Sequence, residues 1–273
     1  MLPSSIGFGT YRLGGAELRT ALETALALGY RHIDTAALYR NEAVIGEVLA
    51  ESKIARQELY LTTKVHWRDI KRGRAAILRE VTRSLQALQT GYVDLLLLHA
   101  PLRAGSARTR EAWAVLVELR AAGHCAQIGV SNFDVADLDN LEAVERPPVN
   151  QIEIHPFHQQ AELVAVCRAR DIRVVAHSAL ARAQRLQDPT VAAVAARSGL
   201  SPAQVLIGWS LAKGYVPLVR SQDAERLAEN LSVEPAALTR EDVAALDALE
   251  ERGSVMRQGP TQAGNGGTGS FPK

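Results

Sequence analysis

Eight short apolar runs, separated by stretches of helical period, organise nearly the whole of this 273-residue chain. The runs are Ile6–Thr10, Arg31–Ala36, Leu59–Val65, Val93–His99, Gln127–Ser131, Val149–Ile154, Arg173–Ser178 and Val216–Ser221. A run such as Val93-Asp94-Leu95-Leu96-Leu97-Leu98 shows no polar face. It suits a parallel strand covered on both sides, not a strand with one wet side. Between the runs, Leu78, Val81, Leu85 and Leu88 fall on one face of a helix expected over 72–89. Ser201-Pro202-Ala203-Gln204 reads as a capping box with proline at the first helical position, and Thr239-Arg240-Glu241-Asp242 opens the last helix in a similar way. Eight strand–helix units in about 250 residues predict a single α/β domain, a (β/α)8 TIM barrel, over residues 1–258. A doubly wound open sheet is the alternative. It wants a glycine-rich turn after the first strand, and Gly7-Phe8-Gly9-Thr10 stops short of that pattern. From Gly259 the sequence GPTQAGNGGTGSFPK offers no regular element, so 259–273 is expected to be a flexible Gly-rich tail.

Composition narrows what such a barrel acts on. A formal charge of +1 gives no field to gather nucleic acid or an anionic membrane, so an anionic ligand must be met by a local cluster of basic residues. No apolar stretch approaches the roughly 20 residues a membrane helix needs. The opening MLPSSIGFG lacks the basic and apolar regions of a secretory leader. Cys125 and Cys167 have no metal-type spacing and read as buried thiols of a reducing compartment. These features together predict a cytoplasmic protein with a small-molecule substrate. A barrel closes its own sheet, so a monomer or weak dimer is expected.

Barrels carry their chemistry at the C-terminal ends of strands and in the loops just after them. The polar residues that end the apolar runs are therefore the ones to examine: Asp34, Lys64, His99, Ser131 with Asn132, and Gln151 with Glu153. A charge placed at such a position is expensive unless it is partnered. Taken singly, each has a plainer reading: a structural ion pair for Asp34 or Lys64, a core histidine for His99. His155 and His158 are spaced like two metal ligands, but no carboxylate or cysteine completes the set, and no metal site is expected.

The segment Gly29-Tyr30-Arg31-His32-Ile33-Asp34-Thr35-Ala36, followed by Glu42 and Gly46, resembles the first signature of the aldo-keto reductase family. Leu218-Val219-Arg220-Ser221, followed by Arg226, Glu229 and Asn230, is similar to the family's cofactor signature. Ile128-Gly129-Val130-Ser131-Asn132-Phe133 and Asn150-Gln151-Ile152-Glu153-Ile154-His155-Pro156 match two further family segments. The resemblance runs from about Gly7 to Leu249 in the family's order.

The chemistry of these residues agrees with it. A phenol, with a pKa near 10, is a poor acid at neutral pH. The ammonium of Lys64 would favour phenolate and lower the pKa of Tyr39, and Asp34 would keep Lys64 charged and in place. His99, on the next strand, would orient a substrate carbonyl while Tyr39 protonates its oxygen. The resemblance implies the same roles: Tyr39 as acid, with Asp34, Lys64 and His99 completing a tetrad, and NADPH (NADP+) as cofactor. It implies further that Ser131, Asn132 and Gln151 hold the nicotinamide carboxamide, and that Glu229 and Asn230 lie against the adenine. Arg220 and Arg226 are positioned to clamp the 2′-phosphate; arginine in place of the more frequent family lysine keeps the charge and adds a fork. Gly9, Thr10, Asp34, His177, Ser178, Leu180 and Ser221 are expected along the cofactor, and Tyr11, His66, Trp67 and Ala100 in the substrate pocket.

The chain departs from the family's pattern near that pocket. His177-Ser178-Ala179-Leu180 stands where the family has a Tyr-Ser-Pro-Leu-like stretch, so an imidazole replaces the tyrosine that stacks on the nicotinamide. Such a group can titrate near neutrality and make cofactor affinity depend on pH. His99-Ala100-Pro101 lacks the indole of the usual His-Trp-Pro, and the loop from Pro101 to Trp113 is short. A wide, weakly specified pocket follows. The function expected is NADPH-dependent reduction of an aldehyde or ketone to the alcohol. The alternatives are an NADPH-binding regulatory or sensor subunit with little turnover, and a non-redox barrel enzyme that binds phosphates through Arg220 and Arg226.

Overall fold

In a computed structural model the chain is described over residues 6–103 and 105–250. Its eight strands are β1 (Gly7–Gly9), β2 (His32–Asp34), β3 (Tyr60–Val65), β4 (Val93–Leu98), β5 (Cys125–Ser131), β6 (Val149–Glu153), β7 (Arg173–His177) and β8 (Val216–Val219). Each coincides with one of the apolar runs to within a residue or two at either end. All neighbours pair in parallel in the order β1 to β8, and β1 pairs with β8 through Gly7–Leu218 and Phe8–Val219, so the sheet closes. That closure decides between the two topologies expected from sequence. An open doubly wound sheet leaves two edges unpaired, and this one has none.

Alternation along the strands separates two apolar layers. Leu95 and Leu97 of β4 join Val149, Val175, Val216 and Leu218 in a plug that fills the barrel lumen. Leu96 and Leu98 point outward, into the larger core between strands and helices. Gly129 of β5 is required by that plug. A Cβ there would stand 2.8 Å from Leu97 Cδ2 and 2.9 Å from the Val149 carbonyl oxygen.

The helices are α1 (Gly15–Leu28), α2 (Glu42–Glu51), α3 (Trp67–Arg72), α4 (Arg74–Ala87), α5 (Ala107–Ala121), α6 (Val135–Leu141), α7 (Ala161–Ala169), α8 (Pro189–Ser198), α9 (Pro202–Ala212), α10 (Ala224–Leu231) and α11 (Arg240–Asp247). The capping boxes read at Ser201 and Thr239 form: Ser201 Oγ accepts from Gln204 N and Thr239 Oγ1 from Asp242 N. The helix expected over 72–89 begins instead at Arg74. Gly73, at φ 90°, adopts a backbone that L side chains rarely take and separates α4 from the short α3.

Cys125 and Cys167 are free and buried. Among the described residues no single helix is long and apolar enough to cross a membrane. The domain end expected at residue 258, the tail 259–273 and the first five residues lie outside the described residues.

Candidate active site

The strand ends at one mouth of the barrel bring the expected polar residues together. Asp34 closes β2 and pairs in register with Gly9 on one side and Thr62 on the other. Two residues beyond Thr62, Lys64 aims its side chain back at it. Its Nζ donates to Asp34 Oδ1 at 2.5 Å and to the Thr35 carbonyl at 2.8 Å, and the two side chains are only 1% and 5% exposed. The second carboxylate oxygen is also used: Gln151 Nε2, from the far side of the lumen, donates to Asp34 Oδ2 at 2.7 Å. Burial pulls the Lys64 ammonium below its ordinary pKa, and Asp34 opposes that shift.

Tyr39 ends a single 3-10 turn, Ala37–Tyr39, stopped by Arg40 in the left-handed region at φ 56°. Its ring lies 5.3 Å from Lys64 Nζ, 5.7 Å from the His99 ring and 5.1 Å from the Tyr11 ring. The lowered phenol pKa expected from sequence is not what this geometry gives. Tyr39 stands well above the usual phenol value, first because it is desolvated, then because the Asp34 carboxylate and the Tyr11 phenol disfavour a second negative charge. Desolvation is the main cause, and the Lys64 ammonium, paired with Asp34 at hydrogen-bond distance, does not offset it in the resting state.

Asn41, which sequence reasoning passed over, fixes the loops that carry both phenols. It is buried, its Nδ2 donates to the carbonyls of Thr10 and Leu13, each at 3.0 Å, and its Oδ1 accepts from Thr35 Oγ1 at 2.7 Å. Nothing in its own chemistry marks it in the sequence. Only its place between Tyr39 and the Glu42–Gly46 motif would have. Thr10, expected at the cofactor, also has its hydroxyl committed, to the Asp34 carbonyl at 3.0 Å.

His99 follows β4, and its backbone N–H donates to the Val65 carbonyl at 3.1 Å. Its Nδ1 is buried without a hydrogen-bond partner. Burial, together with the positive charge of Lys64, keeps the ring neutral by pushing its pKa well below the histidine norm. A neutral imidazole beside a protonated phenol can hydrogen-bond a carbonyl without competing for the proton.

Three strand ends are tied to His99 by one amide. Asn132, at φ 60°, donates from Nδ2 to the His99 carbonyl at 3.0 Å and lies 3.1 Å from Ser131 Oγ, which itself donates to the Gln151 carbonyl. Because the amide nitrogen must face the His99 carbonyl, its oxygen faces His177 Nε2 at 2.8 Å. His177 is therefore assigned as the Nε2–H tautomer, with Nδ1 turned to Ser178 Oγ at 3.3 Å. Titration of His177 near neutrality, expected from sequence, is overturned: burial presses its pKa down to about 4.

At the end of β8, Arg220 Nη1 reaches the Tyr11 carbonyl at 3.2 Å, and Asp223 caps α10 by accepting from Arg226 N at 2.9 Å. Ser221 Oγ accepts from Asp223 N at 3.0 Å. Both guanidiniums are exposed, and neither makes an ion pair among the described residues. Two unneutralised forks at a strand end and a helix start suit a phosphate dianion. Glu229 is half-buried and Asn230 buried one turn further along α10.

Of the expected pocket residues, Tyr11 is exposed, while Trp67 and Ala100 are half-buried. His66 is buried instead, its Nδ1 capping α3 by accepting from Arg68 N at 3.1 Å, with the Trp67 ring 5.2 Å away. Leu38, an exposed apolar side chain beside Tyr39, adds to the rim and was not foreseen. Gly9 and Leu180 are half-buried at the ends of β1 and β7. The rings of His155 and His158 stand 6.1 Å apart, and His155 Nε2 is engaged with Glu153 Oε1 at 3.2 Å. Among the described residues no group of three potential ligands is placed to hold a metal ion.

The chain is similar to known proteins over most of its length. The model of the Aldo/keto reductase family matches residues 5–251. An "Aldo-keto reductase" of Mycolicibacterium vanbaalenii is 42% identical over 258 residues, spanning 93% of this chain and 91% of that protein. "Methylglyoxal reductase DkgB" of Escherichia coli O157:H7 is 35% identical over 249 residues, spanning 90% of this chain and 92% of that protein. Among solved structures, a Bombyx mori aldo-keto reductase in complex with NADP superposes with a TM-score of 0.83 at 32% identity, covering 92% of this chain and 91% of that one.

Proposed function

This chain belongs to the aldo/keto reductase family, and on that footing we propose that it reduces an aldehyde or ketone to the alcohol with NADPH, Tyr39 giving the proton. The observation that carries this reading is the convergence of Tyr39, Lys64, Asp34 and His99 on consecutive strand ends, with the phenol ring 5.3 Å from the ammonium and 5.7 Å from the imidazole. When bound, NADPH supplies the hydride. The residues that would hold it are Ser131, Asn132 and Gln151 at the lumen, and Arg220 and Arg226 around a 2′-phosphate.

The protein's own part is proton handling and orientation. Tyr39 is held neutral by its surroundings, so a proton is present at its oxygen throughout the physiological range. Once that proton is given up, the Lys64 ammonium near the ring stabilises the phenolate. His99 presents an uncharged ring whose buried Nδ1 has no protein partner, leaving the rest of the imidazole to position a carbonyl oxygen against Tyr39. Lys64 and Asp34 are buried from water, and their charges act more strongly there than in solution. The reading includes a cytoplasmic enzyme working as a monomer or weak dimer, supported by a closed sheet with no free edge.

The test is loss of NADPH absorbance against a panel of carbonyl compounds led by methylglyoxal, with Tyr39→Phe as control. Turnover by the wild type, lost in Tyr39→Phe with NADPH affinity retained, is the expected result. Tight NADPH binding with no turnover on any carbonyl would instead mark a sensor subunit. Absence of NADPH binding would sink both.

A further inference from the structure

At the barrel mouth the ends of β7, β5 and β4 are joined by hydrogen bonds that all run one way. Ser178 Oγ stands 3.3 Å from His177 Nδ1, His177 Nε2 donates to Asn132 Oδ1 at 2.8 Å, and Asn132 Nδ2 donates to the His99 carbonyl at 3.0 Å. With His177 as the Nε2–H tautomer, each member gives a proton to the next, and such aligned bonds polarise and strengthen one another. The chain ends on the backbone of His99.

Most of Asn132 is fixed by other means. Its backbone, left-handed at φ 60°, donates from N to the Gln151 carbonyl at 2.9 Å, and the neighbouring Phe133 carbonyl accepts from Asn150 Nδ2 at 2.9 Å. The rotation of the amide remains, and an amide has donors at one end and an acceptor at the other. Its nitrogen is spent on the His99 carbonyl and on Ser131 Oγ at 3.1 Å. Its oxygen takes the His177 Nε2–H, which leaves one lone pair for a ligand. Asn132 is exposed and His177 half-buried, so water competes for that oxygen wherever the imidazole is missing. Both ring nitrogens of His177 are engaged in the plane of the ring, which is chemistry that a phenyl ring at this position lacks.

Resting on the carbonyl-reductase reading above, we propose that His177 is a positioning residue for the cofactor: its Nε2–H latches the Asn132 amide in the one orientation that joins β4, β5 and β7, so that Asn132 meets the nicotinamide carboxamide already set. The contribution of His177 is this hydrogen bond and not the area of its ring. An amide held in advance gives up little rotational freedom when the ligand arrives, and binding is tighter by that amount.

Two substitutions separate the bond from the ring. His177→Gln keeps a side-chain N–H and loses the ring, while His177→Phe keeps a flat ring and loses the donor. NADPH dissociation constants, read from tryptophan fluorescence quenching, should stay within about twofold of wild type in His177→Gln. They should rise roughly fivefold in His177→Phe, within the factor of about 2–10 that one net hydrogen bond represents. In an Asn132→Ala background the same His177→Phe change should have no further effect, because the group it acts through is gone. Nitrogen NMR of the unsubstituted protein with isotope-labelled histidine should show His177 protonated at Nε2 at neutral pH, and this readout stands if a variant fails to fold. Loss of affinity in His177→Gln with His177→Phe unaffected would make the ring face the binding element and overturn the latch. Equal losses in both, no loss in either, a His177→Phe loss that persists without Asn132, or an Nδ1–H tautomer overturn it as well. Each of these leaves the reductase reading intact so long as the wild type binds NADPH and reduces a carbonyl of the panel. A wild type that binds no NADPH overturns both.

Discussion

The Lys64–Asp34 pair offers the most demanding test of how this site is built. With Nζ and Oδ1 2.5 Å apart and side chains 1% and 5% exposed, each charge is tolerated in the lumen only because the other is there. In Lys64→Met the Asp34 carboxylate keeps one hydrogen bond, from the neutral Gln151 amide at 2.7 Å, and loses its counter-ion. In Asp34→Asn the ammonium keeps the Thr35 carbonyl at 2.8 Å and no hydrogen-bonded partner of opposite charge. Breaking a buried pair from either side costs about 3–5 kcal/mol. In a chain of this size that is a fall in Tm of roughly 6–20 °C. The double variant removes both charges, so it should be more stable than the sum of the singles by about 2–3 kcal/mol. Urea unfolding of the four proteins, followed by tryptophan fluorescence, measures this. All three variants are expected to lose turnover, so stability is the discriminating quantity. Additivity within about 0.5 kcal/mol would refute the reasoning, because it would mean that the two groups do not neutralise one another in the folded protein.

The remaining expectations are shorter. Arg220→Gln and Arg226→Gln should each weaken NADPH binding by about tenfold or more, the loss of one charged hydrogen bond to phosphate, and leave NADH binding unchanged in a fluorescence titration. His32 and His177 have folded pKa values near 4 against an ordinary 6.5, so the folded protein binds fewer protons than the unfolded one between those values. Their contribution to stability is therefore complete above pH 6.5 and lost as pH falls toward 4, and the urea midpoint should drop across that window. Gly46→Ala should destabilise by about 1–3 kcal/mol or more in thermal melts, since its Cβ would run into the Ala87 carbonyl and stand 2.8 Å from the Leu88 carbonyl carbon where α2 crosses α4.

What was legible in the sequence follows from period and position. Strand runs without a polar face, such as Val93–Leu98, announce a sheet covered on both sides, and Ser201 and Thr239 announce their helices through chemistry confined to four residues. The polar residues ending those runs are legible for the same reason: a barrel spends charge at a strand end only where chemistry needs it. Environment is not legible in this way. His177 is neutral because the fold buries it, and its tautomer depends on Asn132, 45 residues away, whose amide is turned by the His99 carbonyl, 33 residues further back. No local pattern encodes that chain of three, and ordinary histidine chemistry suggested the opposite. The break at Gly73 escaped as well, because the helical period continues through it while the backbone does not.

The phenol of Tyr39 shows why this difference matters for mechanism. From sequence, a lysine near a tyrosine suggests an activated, acidic phenol. In the fold the lysine is already answered by Asp34, and Asp34 itself adds to the rise of the phenol's pKa. A residue that must give a proton is better served by this arrangement. It stays loaded at neutral pH, and the ammonium beside it favours the charged product more than the starting state, which is differential stabilisation of the kind that accelerates a step. The carboxylate that opposes ionisation of Tyr39 is thus what keeps Lys64 charged at the moment its charge is needed, and Gln151 ties that same carboxylate to β6. One buried aspartate, gripped from two strands, adds to the desolvation that keeps the acid loaded and holds its partner charged.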